Sequence, residues 1–248
     1  MSYKYNINKK NINLLSSLLD IKNIFQKSNS SIHKARNELK VVEFNGIKYV
    51  VKSFKVPHII NRIAYTFLRD GKAKKSYQNA LKLHKLNVTT PEPIGVIEFF
   101  KMGLLSESYF ISVFEPYDFT IREVFHHKAE DYQEILKQFA KFTYKIHQKG
   151  VWHVDYSLGN ILITKTDDTY KFSLVDINRM EFKSINDYEG LKNLNKFWAK
   201  DENDLIHLAR EYAIIAKLDE DKAIKIALNE AKSLEAKVNL KRRIRGQN

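Results

Sequence analysis

Residues 150–178 read Gly150-Val-Trp-His153-Val-Asp155-Tyr-Ser-Leu-Gly-Asn160-Ile-Leu-Ile163, then a polar connector, then Phe172-Ser-Leu-Val-Asp176-Ile-Asn178. Two carboxylates and one carboxamide stand at the edges of two short apolar runs. Ile161 to Ile163 and Phe172 to Val175 have the make-up of paired strands. Thr164-Lys-Thr-Asp-Asp-Thr169 between them has that of a hairpin turn. Such a hairpin would hold Asp155, Asn160 and Asp176 close together on a rigid base.

That cluster suits phosphoryl transfer. The reaction needs an acceptor hydroxyl oriented by a carboxylate, and magnesium held by oxygen ligands against the phosphates. Asp155 precedes Asn160 by five residues, the spacing of the kinase catalytic loop H-x-D-x-x-x-x-N. Asp176 follows Asn160 by sixteen residues, where a second, metal-binding aspartate would fall. The competing reading is a buried histidine beside turn-forming Asp and Asn residues. The Asn, the hairpin and the second Asp together favour the chemical one.

Working outward, the chain is 248 residues long, enough for one large domain or two lobes. Apolar residues make up 44%, ordinary for a globular chain. No apolar run approaches the roughly 20 residues of a membrane span. Met-Ser-Tyr-Lys-Tyr-Asn at the start has no signal-peptide apolar region. Without cysteine, disulfides and thiolate metal sites are excluded, and a cytoplasmic place fits. The net charge of +13 favours an anionic partner: nucleotide phosphates, nucleic acid or an anionic membrane surface. Residues 52–75 carry seven Lys/Arg against Asp70 alone. Residues 232–248 carry six against Glu235, including Lys241-Arg-Arg-Ile-Arg245. That tail reads as basic and solvated.

In order, residues 1–10 are polar and expected to be loose, and helix-like spacing follows over 12–27. Ser28-Asn-Ser-Ser31 is a breaker. Residues 38–44 and 47–54 read as strands joined by Asn45-Gly46, a strong two-residue hairpin signal. Lys52 sits inside the second strand, where an ammonium is costly unless it meets an anion. Residues 56–69 place Ile59, Ile60, Ile63 and Phe67 on one helical face, with Pro57 near the start. The helix reads first as one packed on the sheet, and more sharply as a basic, aromatic surface that meets anionic lipid. A second helix spans 72–86, and strands span 94–100 and 108–114 with Gly103 in the turn. Phe114-Glu-Pro-Tyr117 looks like a connector. Helices are expected at 120–127, 130–149, 186–198, 202–216 and 219–238, with Gly150 stopping the second of these. The fold class is therefore α+β: a bilobal protein-kinase-like fold with a small β-rich N-lobe and a mainly helical C-lobe. The expected division is a helical extension over 1–30, an N-lobe over 31–116 and a C-lobe over 117–248, with nucleotide between the lobes.

With these residues in hand, the chain resembles the lipopolysaccharide kinase family, the Kdo/WaaP-type branch of the protein-kinase-like fold, from about residue 35 to about 215. The segments that carry the likeness are Arg36-Asn-Glu-Leu-Lys40, Val50-Val-Lys52-Ser-Phe54, Thr90-Pro-Glu-Pro-Ile-Gly95, His153-Val-Asp155-Tyr-Ser-Leu-Gly-Asn160 and Val175-Asp176-Ile-Asn-Arg179. The resemblance implies transfer of the ATP γ-phosphate to a sugar hydroxyl of a lipid A–core saccharide, at the cytoplasmic face of the inner membrane. By it, Lys52 would grip ATP phosphates, Asp155 would accept the hydroxyl proton, and His153 would brace the loop. Asn160 and Asp176 would hold Mg2+. Gln78 and Glu115 complete the expected nucleotide-binding set.

The chain departs from a protein kinase at several points. Serine/threonine protein kinases usually carry a Lys two residues after the catalytic Asp, where this chain has Ser157. That form is closer to small-molecule and sugar kinases. No A-P-E follows the last proline, Pro116, and no G-x-G-x-x-G precedes the first hairpin, so phosphate cradling would fall to backbone around His33 to Arg36. The helix glutamate expected to pair with Lys52 is best matched by Gln78, which brings no charge, with Glu38 or Glu43 as substitutes. Ile177-Asn178 stands where Phe-Gly is common, and Leu158 replaces a usual proline. Two alternatives stay open: a protein or small-molecule phosphotransferase with the same machinery, and a non-catalytic membrane-binding module. No nucleic-acid partner is expected, because basic charge comes here without a recognition motif.

Overall fold

A computed structural model describes residues 2–34, 37–54, 58–127, 131–167, 169–197, 202–244 and 246. Arg36, Pro57, Arg245 and the end of the helix expected over 186–198 lie outside the described residues. The chain divides into two compact units: residues 1–116 with 176–179, and residues 117–175 with 180–248. The architecture is mixed, with a β-rich N-terminal region and a helical C-terminal part.

The first unit is built on a six-stranded antiparallel sheet in the order β1-β5-β6-β4-β3-β2. Its strands are β1 (Ser2–Ile7), β2 (Ser31–Lys34), β3 (Glu38–Phe44), β4 (Ile47–Phe54), β5 (Pro93–Lys101) and β6 (Leu104–Val113). Two tight turns set the register. Asn45 and Gly46 have φ of 52° and 75°, and Met102 and Gly103 have 52° and 76°. Successive positive φ values give the turn twist that antiparallel hairpins need. A 3-10 turn (Lys9–Leu14), α1 (Leu15–Leu19) and α2 (Ile21–Lys27) bring Leu14, Leu18, Ile21 and Phe25 onto the sheet. There they meet Val42, Tyr49, Val51, Ile97, Tyr109 and Ile111 in one buried cluster.

Two expectations for the N-terminus are corrected. Residues 1–10 are not loose: β1 pairs with β5 from Ser2↔Phe100 to Ile7↔Gly95. Nor is 1–30 a helical extension of its own, because its helices supply part of this unit's core. The sheet's remaining partners are α3 (Ile59–Phe67) and α4 (Lys72–Lys85), and α4 packs against β4, β5 and β6.

The second unit opens with β7 (Phe119–Thr120), α5 (Ile121–His127) and α6 (Tyr132–Gln148). Helix α6 buries Ile135, Leu136, Phe139, Ala140, Thr143, Ile146 and His147 at helical spacing, while Phe142 is half-buried. Gly150, at φ 70°, ends it. Then come β8 (Val151–His153), a 3-10 turn (Leu158–Asn160), β9 (Ile161–Thr166), β10 (Thr169–Leu174) and β11 (Met180–Phe182). β9 and β10 form the expected hairpin, but pairing runs out to Thr166↔Thr169 and shortens the turn. α7 (Asp187–Lys192), a 3-10 turn (Asn193–Lys196), α8 (Glu202–Ala216) and α9 (Glu220–Ile244) complete the unit. Phe139, Tyr156, Phe197 and Tyr212 are among its largest fully buried side chains. α9 runs six residues past the expected end at 238, so most of the basic tail is helix.

Candidate active site

The first unit carries Lys52 and Asp176. On β4, Tyr49 and Val51 face the buried cluster, and the period of two turns Lys52 to the opposite face. Lys52 lies in mid-sheet, opposite Leu39 on β3 and Phe110 on β6. Its side chain is only 11% exposed, and its Nζ lies 2.5 Å from Asp176 Oδ1. The ammonium also sits 5.3 Å from the Phe54 ring centre. The strand lysine thus has the anionic partner that its burial demands. Asp176 has φ 54°, a left-handed conformation uncommon for residues other than glycine but tolerated by Asp and Asn. The segment is pinned beside it, where Asn79 Nδ2 on α4 donates to Ile177 O at 2.7 Å.

Gln78 was expected next to Lys52. It is exposed on α4, and its side chain hydrogen-bonds the Asp70 carboxylate. The ion-pair partner of Lys52 is instead Asp176. Of the suggested substitutes, Glu38 lies 3.9 Å from Lys40 and Glu43 is exposed. Glu115 is half-buried at the end of the unit.

The second unit carries the loop His153–Asn160. His153 is fully buried between β8 and the loop. Its Nδ1 accepts from Asp155 N–H at 3.1 Å, so the neutral ring carries its proton on Nε2 and donates to Val175 O at 3.0 Å. Tyr156 N–H returns to His153 O at 3.1 Å. Asn160 Nδ2 donates to Asp155 O at 2.8 Å, and Val175 N–H donates to Asn160 O at 3.0 Å. Asn160 therefore closes the loop with its amide nitrogen and leaves the amide oxygen Oδ1 facing elsewhere. Tyr156 anchors the loop from below: it is fully buried, its hydroxyl meets Thr143 Oγ1 at 2.8 Å, and burial keeps its phenol neutral by pushing its pKa up.

A residue that the motif gave no sign of completes this set. Lys196, at the end of the 3-10 turn, donates to Asp155 Oδ1 at 2.6 Å and to Val154 O at 3.0 Å. Asn193 in the same turn donates to His153 O at 3.0 Å. The signal that could have pointed to them is indirect: Ser157 leaves the loop without a cation near Asp155.

These residues can do the parts of phosphoryl transfer. Asp155 is a carboxylate in a fixed orientation. Asn160 Oδ1 and the Asp176 carboxylate are hard oxygen ligands of the kind magnesium takes. Among the described residues no group of three or more His, Cys, Asp or Glu side chains could hold a metal ion. Magnesium in a phosphotransferase needs only one or two protein oxygens besides phosphates and water, and an amide oxygen or a carboxylate is of the kind that fits that use.

The sequence model described as "Lipopolysaccharide kinase (Kdo/WaaP) family" matches residues 23–212. Among solved structures, "WaaP in complex with acyl carrier protein" superposes with a TM-score of 0.62 at 14% identity, covering 95% of this chain and 98% of that one. The Rio2 kinase–ADP/Mg2+–phosphoaspartate complex from Chaetomium thermophilum gives 0.51 at 16% identity, over 90% and 69%. At these identities the structures show the fold, which is kinase-like. No curated protein sequence matches the chain.

Proposed function

Since the chain belongs to the lipopolysaccharide kinase (Kdo/WaaP) family, we propose that it transfers the γ-phosphate of ATP to a hydroxyl of a lipid A–core saccharide, a Kdo or heptose unit. Asp155 is the group that accepts the hydroxyl proton. The sugar oxygen forms the new bond to phosphorus, the bond between phosphorus and the bridging oxygen breaks, and that electron pair leaves with ADP. Lys52 is the cation for the nucleotide phosphates, with Glu115 a further nucleotide contact. Asn160 and Asp176 are the magnesium ligands. Held there, the metal would offset the charge of the phosphates.

The observation that carries this reading is the fixing of Asp155 from three sides: at its backbone N–H by His153, at its carbonyl by Asn160, and at its carboxylate by Lys196. Holding a base in one orientation is what positioning catalysis requires. The test is transfer of labelled phosphate from ATP, with magnesium, to purified lipid A–core acceptor. Asp155→Asn keeps an acceptor for Lys196 and should lower transfer by about a thousandfold, with the melting temperature unchanged. A variant as active as wild type would remove Asp155 from the chemistry.

The acceptor is lipid-linked, and no described helix is long and apolar enough to cross a membrane. The protein therefore meets its substrate as a peripheral protein on an anionic leaflet, at the cytoplasmic face of the inner membrane. Exposed basic and apolar groups support that. Phe67 and Leu68 at the end of α3 are 71% and 81% exposed, ahead of Arg69. Leu240, Lys241, Arg242, Arg243 and Ile244 are all exposed at the end of α9.

A further inference from the structure

Phosphoryl transfer gathers negative charge around the catalytic carboxylate, and Ser157 leaves this chain's loop without a cation close by. We propose that Lys196 is the positioning residue that supplies this missing charge, delivered from outside the loop and acting on the reaction through Asp155. The proposal rests on the phosphotransferase reading above.

The geometry is specific. Two oxygens of adjacent residues, the Asp155 carboxylate at 2.6 Å and the Val154 carbonyl at 3.0 Å, converge on one ammonium. The Lys196 and Asp155 side chains are 27% and 29% exposed, so the pair is mostly out of water. A charge-assisted hydrogen bond in that setting is stronger than a surface ion pair.

The turn that carries Lys196 is built to hold it there. In a 3-10 helix, residues three apart eclipse one another. Asn193 and Lys196 therefore share a face, and both reach the same loop, one at His153 O and the other at Val154 O and Asp155. Between and after them, Leu194 and Phe197 are fully buried. The Phe197 ring packs edge-on against Tyr156, the residue after Asp155, with centres 5.5 Å apart. The turn and the loop thus move as one packed piece.

A purely structural brace is the competing account. The loop backbone already has that brace in Asn193, His153 and Tyr156. Lys196 instead places its charge on the one carboxylate that the reaction uses.

The test compares Lys196→Met, Lys196→Arg and the double change Lys196→Met with Ser157→Lys, on purified protein with ATP, magnesium and lipid A–core acceptor. Lys196→Met should lower kcat by about a hundredfold, the scale of a misplaced catalytic group. KM for ATP and the affinity for a fluorescent ATP analogue should stay within about twofold. Lys196→Arg should stay within about tenfold of wild type. Restoring a cation at position 157 should recover at least about tenfold of the loss, which a brace could not do. Unchanged kcat in Lys196→Met overturns the proposal. So does a rise in kcat, which would make the contact inhibitory. So does a fall in kcat that tracks a fall in melting temperature and is recovered by neither rescue variant. Wild type that turns over ATP with water but not with saccharide overturns the acceptor alone, and the variants are then compared on ATP hydrolysis. Wild type that does not bind ATP overturns both readings.

Discussion

His147 shows at residue scale how this protein uses burial. Its Nε2 faces Asn193 Oδ1 at 3.2 Å, and its Nδ1 faces the Tyr212 hydroxyl at 2.9 Å. An amide oxygen only accepts, so Nε2 carries the proton and Nδ1 accepts from Tyr212. The ring is neutral, and burial holds its pKa down at about 4, below the usual 6.5. The unfolded chain then binds a proton that the folded chain refuses. Stability from this group is whole above pH 6.5 and is lost as pH falls toward 4, amounting to about 2 kcal/mol by pH 5. Urea unfolding at pH 7 and pH 5 measures it: His147→Gln should show the smaller drop between the two. The same imidazole holds Asn193, so the group that senses acid lies one residue from the loop of Asp155. The contact of Asn160 with Asp155 was legible because only five positions separate the two. Lys196 was not, since forty-one positions separate it from Asp155 and only packing brings the two together.

Among the elements, α7 shows the closest fit. Gly190 lies where a Cβ would press against the Tyr212 hydroxyl and come within 2.7 Å of His147 Nδ1. Gly190→Ala should therefore lower stability by about 1–3 kcal/mol by prising that hydrogen bond apart. Thermal melts check it, and an unchanged midpoint would mean that α7 can shift. The hairpins 38–54 and 161–174 were readable from turn chemistry and apolar runs. β1 was not, and the reason is physical. It is a six-residue edge strand whose tyrosines stay 50% and 42% exposed, so the alternation of Tyr3, Tyr5 and Ile7 with Ser2, Lys4 and Asn6 comes with little apolar weight. Backbone pairing and the Tyr3–Phe99 contact, with centres 6.3 Å apart, hold it instead. The tail is solvated as expected, but the helix end placed at 238 falls six residues short. Lys241, Arg242 and Arg243 in the last turn of α9 lie at the negative end of the helix dipole, which favours continuing the helix.

For the molecule as a whole, the net charge of +13 decides what it will approach. Each basic residue near an anionic leaflet contributes about 1 kcal/mol. A handful gives reversible attachment that salt weakens. Vesicles containing anionic lipid should retain the protein at low salt and release it at high salt, while neutral vesicles should not bind it. Phe67→Asp with Leu68→Asp should weaken retention by about tenfold, because these exposed apolar groups would enter the headgroup region. Equal binding to both kinds of vesicle would mean that charge is not the attraction.

The first unit is not one continuous stretch of chain: its last four residues, Asp176 to Arg179, come after a gap of fifty-nine. During synthesis, β4 and its neighbours can pair as soon as β6 has emerged. The carboxylate that meets Lys52 arrives only after α6 and the β9–β10 hairpin have been made. Until then the sheet holds a lysine without its counter-charge. A shortened chain ending at Pro116 would keep that state permanently, so completing the Lys52–Asp176 pair waits on the half of the chain that carries Asp155.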